Sequence, residues 1–185
     1  MPPEMSLRVE FHFDGGARGN PGVAGAGANV VVTSTELGNA SDVTGPLIKR
    51  ANYKVTNQIR HYCGENHTNN FAEYTGLLEG LKCIKRYVDE FVIMLGARSW
   101  KDEPDKWALI EVSIKGDSKL IMDQLSGYSS CKAPTCKGIF EECTTLINDI
   151  RNLSKTQKKF IFVRVNHEHV YRKENTIADG TLSTH

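Results

Sequence analysis

The sequence predicts an α/β fold with a mixed five-stranded sheet, in which three antiparallel strands precede two parallel ones and helices cover both faces. Two observations lead to this prediction. Up to Ile48 the chain holds three β-like segments separated by short turns, and strands joined by short turns pair antiparallel. Beyond residue 68 each new β-like segment is reached across helical sequence, as in parallel pairs. The expected order of elements is β-β-β-α-β-α-α-β-α.

The first predicted strand ends on an acid and runs into a glycine-rich turn. Apolar and polar residues alternate over residues 7–14, which is the period of a half-buried strand. Asp14 therefore belongs to the polar face, at the carboxyl end of the strand. The next stretch contains Pro21 and several glycines, which allow tight turns and close approach of a ligand to the backbone. These glycines are Gly15, Gly16, Gly19 and Gly22.

Two further strands are predicted in the small and β-branched sequence that follows, at residues 23–33 and 40–48. Residues 49–67 are polar and show no periodicity, so we interpret them as a long loop. The lysines and arginines of this stretch are candidates for phosphate contacts, and the plainer interpretation is a solvated surface.

The clearest helix begins near residue 68. Apolar residues recur at helical spacing from Tyr74 to Val88, and Glu73 borders this apolar stripe. Asn70 and Glu73 also have the spacing of a capping box. Glu73 is therefore either a functional acid or a residue that satisfies backbone donors at the start of the helix.

A second predicted strand ends on an acid. Residues 109–115 alternate, and Gly116-Asp117-Ser118 separates them from a helix that begins at Leu120. A right-handed crossover would place this strand beside the first, with Asp14 and Asp117 at the same edge of the sheet. The alternative interpretation of Asp117 is a helix N-cap.

The rest of the sequence predicts an amphipathic helix at residues 138–153 and a short strand at 160–165. A polar loop at 166–172 follows, and a last helix begins near Glu174 and carries Asp179.

Length and composition restrict the class of protein. The 185 residues suffice for one medium domain, so we expect a single domain over residues 1–185 with a core of about 7–182. The net charge of +1 means that a nucleic-acid role needs a local basic patch. With no apolar run long enough for a membrane span and no signal-peptide core, an intracellular protein is expected, cytoplasmic or nuclear. Five cysteines without C-x-x-C spacing predict free thiols in a reducing compartment, with a Cys131–Cys136 disulfide as the alternative.

Four blocks of the sequence, taken in order, resemble the signature blocks of type 1 ribonuclease H. They are residues 14–22 (DGGARGNPG), 68–73 (TNNFAE), 116–118 (GDS) and 169–179 (HVYRKENTIAD). The resemblance covers nearly the whole chain and implies a ribonuclease H-like fold. It also implies cleavage of the RNA strand of RNA/DNA hybrids, leaving 5′-phosphate and 3′-hydroxyl ends. The expected cofactor is two Mg²⁺ ions, with Mn²⁺ as an alternative, and a monomer is expected.

The resemblance implies a role for each of four acids. Asp14 and Asp117 would be core metal ligands, with Asp14 bridging both ions. Glu73 would bind the metal on the leaving-group side, and Asp179 the metal that carries the attacking water. The chemistry agrees, because hard cations prefer carboxylate oxygens and a metal pair can clamp the attacking and leaving oxygens. Without metal, the clustered carboxylates are expected to repel one another and to show raised, coupled pKa values.

The family also has a histidine in a mobile loop, which serves as a proton shuttle or aids product release. His167 and His169 both qualify, and the family spacing of ten positions before the last acid selects His169. The alternatives are a solvated loop histidine or an H-x-H pair that binds zinc.

Distinguishing RNA from DNA requires contact with the 2′-hydroxyl in the minor groove. The resemblance implies that backbone groups beside the metal site and polar side chains make this contact, and that Thr68 binds a phosphate of the DNA strand. Several of these residues can equally be interpreted as turn or cap residues. The candidate substrate-binding residues are Gly15, Gly16, Asn20, Thr68, Asn69, Asn70, Ser118 and Asn175.

The sequence departs from the family in ways that predict a weaker hold on the substrate. Lys119 follows Asp117-Ser118 where the family often has Gln, and residues 120–159 contain no tryptophan-rich basic protrusion. No separate hybrid-binding domain is expected before Leu7. Lys and Arg contacts to phosphates dominate affinity, so these absences weaken binding. Gly180 is a poor helix residue and is expected to loosen Asp179.

Three other functions are less consistent with the sequence than hybrid cleavage. A related nuclease acting on branched or double-stranded DNA is disfavoured by Asn20, Asn69 and Asn70. An inactive nucleic-acid-binding module is disfavoured because clustered carboxylates repel phosphates. A structural domain whose acids are only helix caps would require four coincidental motif matches.

Overall fold

The computed structural model describes residues 1–37, 52–98, 100, 103–156 and 160–172. Within these ranges the chain forms five strands and three helices. The strands are β1 (Met5–Arg18), β2 (Gly22–Glu36), β3 (Tyr53–His67), β4 (Ala108–Gly116) and β5 (Ile161–His169). The helices are α1 (Asn69–Gly96), α2 (Lys119–Leu125) and α3 (Pro134–Thr156).

All five strands belong to one sheet with the order β3-β2-β1-β4-β5. The β1–β2 and β2–β3 pairs are antiparallel, and the β1–β4 and β4–β5 pairs are parallel. The mixed sheet predicted from the sequence is therefore confirmed. Phe13 pairs with Gly116, so the next residues, Asp14 in β1 and Asp117 directly after β4, lie close together at the same edge of the sheet.

The hydrophobic core lies between the sheet and the long helices. α1 packs on β1, β2 and β3, and it also packs on α3, which contacts β5. Phe11 and Phe13 of β1 are almost completely buried on this side. The predicted last helix, with Asp179, lies outside the described residues. No helix in the described ranges is long and apolar enough to cross a membrane. All five cysteines are free thiols, as predicted.

One prediction for the sheet is wrong. Residues 53–67, interpreted as a loop, form strand β3. β3 is an edge strand in which half-buried positions alternate with exposed ones, and Asn57 occupies one of the inward positions. Asn57 can face inward because it forms hydrogen bonds with the Tyr87 hydroxyl. A polar residue at an inward position hides the apolar–polar alternation that would predict a strand. The strand predicted at 40–48 lies outside the described residues.

Two strands also run further than predicted. β1 continues through Gly15 and Gly16, so the turn consists of Gly19, Asn20 and Pro21. β5 continues to the pair formed by His169 and Gly116, although residues 166–169 were predicted as part of a loop. This polar segment is extended because pairing with β4 satisfies its backbone groups. Backbone pairing does not require a particular side-chain pattern, so the sequence did not predict it.

α1 crosses β1 where side chains are missing on both surfaces. A Cβ added at Gly15 would lie 2.2 Å from the backbone carbon of Ala72. A Cβ added at Gly76 would lie 2.6 Å from the carbonyl oxygen of Asp14. Both distances are far below an ordinary carbon contact, so the close approach of helix and strand depends on these glycines. The approach brings Glu73 next to Asp14.

We expect Gly15→Ala to lower the free energy of unfolding by about 1–3 kcal/mol, because the added methyl must push α1 away from β1. Urea denaturation measures this change. Gly16→Ala is the matched control, since a Cβ there would meet no described atom within 4 Å, and it should change stability by less than about 0.5 kcal/mol. Equal losses in both variants would show that contact with α1 is not the cause.

Candidate active site

Three carboxylates converge where β1, β4 and α1 meet. Asp14 lies in β1, Asp117 directly follows β4, and Glu73 lies in the second turn of α1. One oxygen of each carboxylate lies within 4.8 Å of the others. Asp14 is 6% exposed, and its Oδ1 accepts a hydrogen bond from the Gly15 N–H at 2.8 Å. The structure thus brings together three of the four predicted acids, and Asp179 lies outside the described residues.

Neither Glu73 nor Asp117 caps a helix. The N-cap of α1 is Thr68, whose hydroxyl accepts a hydrogen bond from the Phe71 N–H at 3.2 Å. The N-cap of α2 is Ser118, whose hydroxyl accepts from the Ile121 N–H at 3.4 Å. The capping-box interpretation of Glu73 and the N-cap interpretation of Asp117 are therefore wrong, because Thr68 and Ser118 are the N-caps.

The surroundings of Glu73 disfavour its negative charge in the absence of a cation. Burial raises its pKa to about 7, the charge of Asp117 raises it too, and a hydrogen bond from Ser118 opposes the shift. The Oε2 atom of Glu73 is buried and has no hydrogen-bond partner among the described residues. A hard divalent cation would satisfy this oxygen, and three clustered carboxylates are a donor set that Mg²⁺ or Mn²⁺ accepts. The cluster therefore fits a divalent metal site.

The β1–β2 turn is tied to the start of α1 by two asparagines. The Oδ1 atom of Asn69 accepts a hydrogen bond from the Ala17 N–H at 2.8 Å. The Oδ1 atom of Asn20 accepts from the Asn69 N–H at 3.1 Å. Each amide oxygen thus supports the scaffold, and each amide nitrogen remains the donor with which these residues can meet a substrate. Asn70 is exposed beside them, and Asn175 lies outside the described residues.

We expect Asn69→Ala to lower the free energy of unfolding by about 1 kcal/mol, because the Ala17 N–H loses its acceptor. Chemical denaturation of the purified variant checks this value. Asn70→Ala, one residue further along the same helix turn, is the control and should be nearly neutral. If both substitutions proved neutral, the hydrogen bond would not hold the turn on α1.

The two candidate histidines lie in different surroundings on β5. The Nε2 atom of His169 is 3.0 Å from the backbone carbonyl oxygen of Asp117, and the ring is exposed. His167 is half-buried, and burial together with the positive charge of Arg151 lowers its pKa. The structure therefore places His169, and not His167, in contact with a residue of the acidic cluster.

Ser118 has contacts that its sequence position did not reveal. Besides capping α2, its hydroxyl forms a hydrogen bond with the Glu73 carboxyl group. A Ser after an acid at a strand-to-helix junction predicts a cap, but its contact with a helix far away in the sequence needs the fold. Ser118 therefore positions one acid of the cluster while standing next to another.

No family model matches the chain. Bifunctional protein Rv2228c of Mycobacterium tuberculosis is 30% identical over 175 residues, which are 94% of this chain and 34% of that protein. Uncharacterized protein Mb2253c of Mycobacterium bovis matches to the same extent. The chain therefore spans about a third of the length of the curated relatives that it matches.

Solved structures match over nearly the whole chain. The N-terminal RNase H domain of Rv2228c is 28% identical, with a TM-score of 0.53 over 96% of this chain and 91% of that one. LC11-RNase H1, isolated from compost by a metagenomic approach, is 26% identical, with a TM-score of 0.59 over 95% and 93%. LC11-RNase H1 has also been solved in complex with an RNA/DNA hybrid. RNase H1 from Halobacterium salinarum, at 22% identity and a TM-score of 0.59 over 95% of each chain, shares the fold.

The mixed sheet, which brings together carboxylates from β1, from α1 and from the residue after β4, has the ribonuclease H-like fold. Within that class, the sequence blocks and the solved relatives agree on one family. In sequence and fold the chain is similar over nearly its whole length to type 1 ribonuclease H proteins.

Proposed function

We propose that this chain hydrolyses the RNA strand of RNA/DNA hybrids as a metal-dependent endonuclease with two metal ions, leaving 5′-phosphate and 3′-hydroxyl ends. The convergence of Asp14, Glu73 and Asp117 within 4.8 Å carries the proposal. The similarity to LC11-RNase H1, which has been solved with a hybrid, supports the choice of substrate. We further propose a single domain that acts as a monomer inside the cell.

The proposed cofactor is a pair of Mg²⁺ ions, with Mn²⁺ as an alternative. Asp14, Glu73 and Asp117 would hold them, together with Asp179 as the sequence implies. When bound, such ions supply positive charge that activates a water molecule and stabilises the leaving oxygen. The buried, unpartnered Oε2 of Glu73 supports a metal-binding role for this residue.

The remaining residues would orient the substrate and move protons. Asn20 and Asn69, whose amide oxygens hold the turn on α1, would donate from their amide nitrogens in the minor groove. The Thr68 hydroxyl accepts from the Phe71 N–H, so its own proton can still be donated to a phosphate. His169, beside the Asp117 carbonyl, is the proposed proton shuttle or aid to product release.

The test is cleavage of one labelled sequence prepared as an RNA/DNA hybrid, an RNA duplex, a DNA duplex and single-stranded RNA. Each substrate is incubated with Mg²⁺, with Mn²⁺ and with chelator. We expect metal-dependent cutting of the RNA strand of the hybrid alone. Cutting of the DNA duplex would identify a DNA-directed nuclease, and salt-sensitive binding without cutting would identify an inactive binding module.

A further inference from the structure

Beside the acids, the sheet has a surface without side chains. Gly16 of β1 pairs with Gly25 of β2, and Gly25 pairs with Tyr62 of β3. A Cβ at Gly16 would meet no described atom within 4 Å, and one at Gly25 would meet only the carbonyl oxygen of His61, at 3.8 Å. Gly16 lies two residues after Asp14 and shares its face of the sheet. We name Gly16 and Gly25 the glycine floor.

Tyr62 forms a wall at one side of the glycine floor. It lies on the edge strand, and its side chain is 67% exposed. Neighbouring strands are about 4.8 Å apart, so Tyr62 lies about 10 Å from Gly16 across the sheet. Gly16 in turn lies about 7 Å along β1 from Asp14. The floor thus leads from the acidic cluster to an exposed aromatic ring about 12 Å away.

Two arginines add positive charge to this surface. Arg60 precedes Tyr62 by two residues and Arg18 follows Gly16 by two residues, so each has the parity of the same sheet face. Both side chains are exposed. An aromatic ring with guanidinium groups beside an open groove is the composition of surfaces that bind a nucleic-acid strand, because the ring stacks and the charges meet phosphates.

We propose that the glycine floor and Tyr62 bind a nucleotide of the cleaved RNA strand, with its sugar against the Tyr62 ring. The floor is continuous with Asp14, which favours the cleaved strand over the DNA strand. A distance of about 12 Å places this nucleotide within about four nucleotides of the cleaved phosphate. Because Gly16 and Gly25 have no side chains, the RNA strand can approach the backbone of the sheet closely. This inference rests on the proposed hybrid nuclease function.

Two variants test the proposal from opposite directions. Tyr62→Ala removes the ring, whereas Gly25→Val adds a β-branched side chain to the floor at a strand position. Each should raise KM for the hybrid about 3- to 10-fold with kcat nearly unchanged, because contact between the ring and the sugar of the strand is lost or blocked. Tyr62→Phe should restore the wild-type KM. Phe162→Ala, which removes another exposed aromatic ring at the opposite end of the sheet, is the matched control.

Photo-crosslinking maps the contact directly. 5-Iodouridine is placed at one position at a time in either strand of a hybrid bound to the Asp117→Asn variant. We expect a crosslink to Tyr62 from the RNA strand, within about four nucleotides of the wild-type cleavage site. Crosslinks from the DNA strand alone would overturn the proposal, as would wild-type KM values for both Tyr62→Ala and Gly25→Val.

The two proposals fail in different ways. If the wild type cuts no substrate, the nuclease function fails, and hybrid-binding curves of the same variants still decide the role of Tyr62. If the wild type cuts the hybrid and the variants behave like Phe162→Ala, only the role of Tyr62 fails. Thermal melting of Gly25→Val separates a filled floor from a damaged fold, and Tyr62→Ala provides an independent answer.

Discussion

Asp117→Asn is expected to reduce metal-dependent cleavage of the hybrid by at least about 10²- to 10³-fold, because one charged ligand of the cluster is lost. The substitution keeps the size of the side chain and removes one of three charges that lie within 4.8 Å of one another. In chelator, thermal stability should therefore stay the same or rise, since a repelling charge is gone. Steady-state cleavage and thermal melting in chelator measure the two effects.

The control for this substitution is Asp123→Asn on α2. Asp123 is a carboxylate close in sequence, paired with Lys119 at 2.7 Å and separate from the acidic cluster. Its loss should leave cleavage near the wild-type rate. Collapse of the fold in Asp117→Asn would instead assign Asp117 a structural role, and full activity in that variant would remove Asp117 from the metal site.

The metal-free protein is expected to lose stability as the pH rises from about 5 to 8, because Glu73 must ionise in a buried position. Its folded pKa of about 7 lies above the ordinary value of 4.5. Because folding raises this pKa, protonated Glu73 contributes to the free energy of unfolding. The contribution is fully present below the unfolded pKa and is lost as the pH rises through the folded pKa. The loss amounts to about 2–3 kcal/mol in the free energy of unfolding. Urea denaturation in chelator across this pH range measures it.

Glu73→Gln should remove this pH dependence and stabilise the metal-free protein at pH 8 relative to the wild type. Saturating Mg²⁺ should reverse the effect in the wild type, because the metal binds the ionised carboxylate. Glu79→Gln is the control on the same helix, where the carboxylate pairs with Lys82 at the surface. Parallel pH profiles for wild type and Glu73→Gln in chelator would show that ionisation of Glu73 does not limit stability.

The sequence could predict the elements that bury one regular face. Apolar and polar residues alternate over most of β1 and β4, α1 has a continuous apolar stripe, and Asp14, Glu73 and Asp117 converge as the crossover rule predicts. Edge strand β3 was missed because its inward positions are only half-buried and include Asn57, so hydrophobic periodicity is weak there. The extension of β5 through His169 depends on pairing with β4, which side-chain pattern does not encode.

Within the site, residue type indicated the chemistry but not the contacts. That Thr68 and Ser118 cap helices, while Glu73 and Asp117 do not, depends on local backbone geometry at each helix start. The hydrogen bonds of Asn20 and Asn69 join segments about 50 residues apart, and no local pattern reports such a link. The position of Tyr62 could not be predicted either, because it depends on edge strand β3, which the sequence pattern did not predict.

The pairing of Phe13 with Gly116 has a consequence for changes in chain length. Successive residues of a strand point to opposite faces, so inserting one residue within β4 would turn Asp117 away from Asp14 even though every acid remained in the sequence. A shift of β4 by two residues would restore the face but displace the carboxylate by about 7 Å along the sheet. Insertions and deletions within β4 are therefore expected to disrupt the acidic cluster even though they change none of its residues.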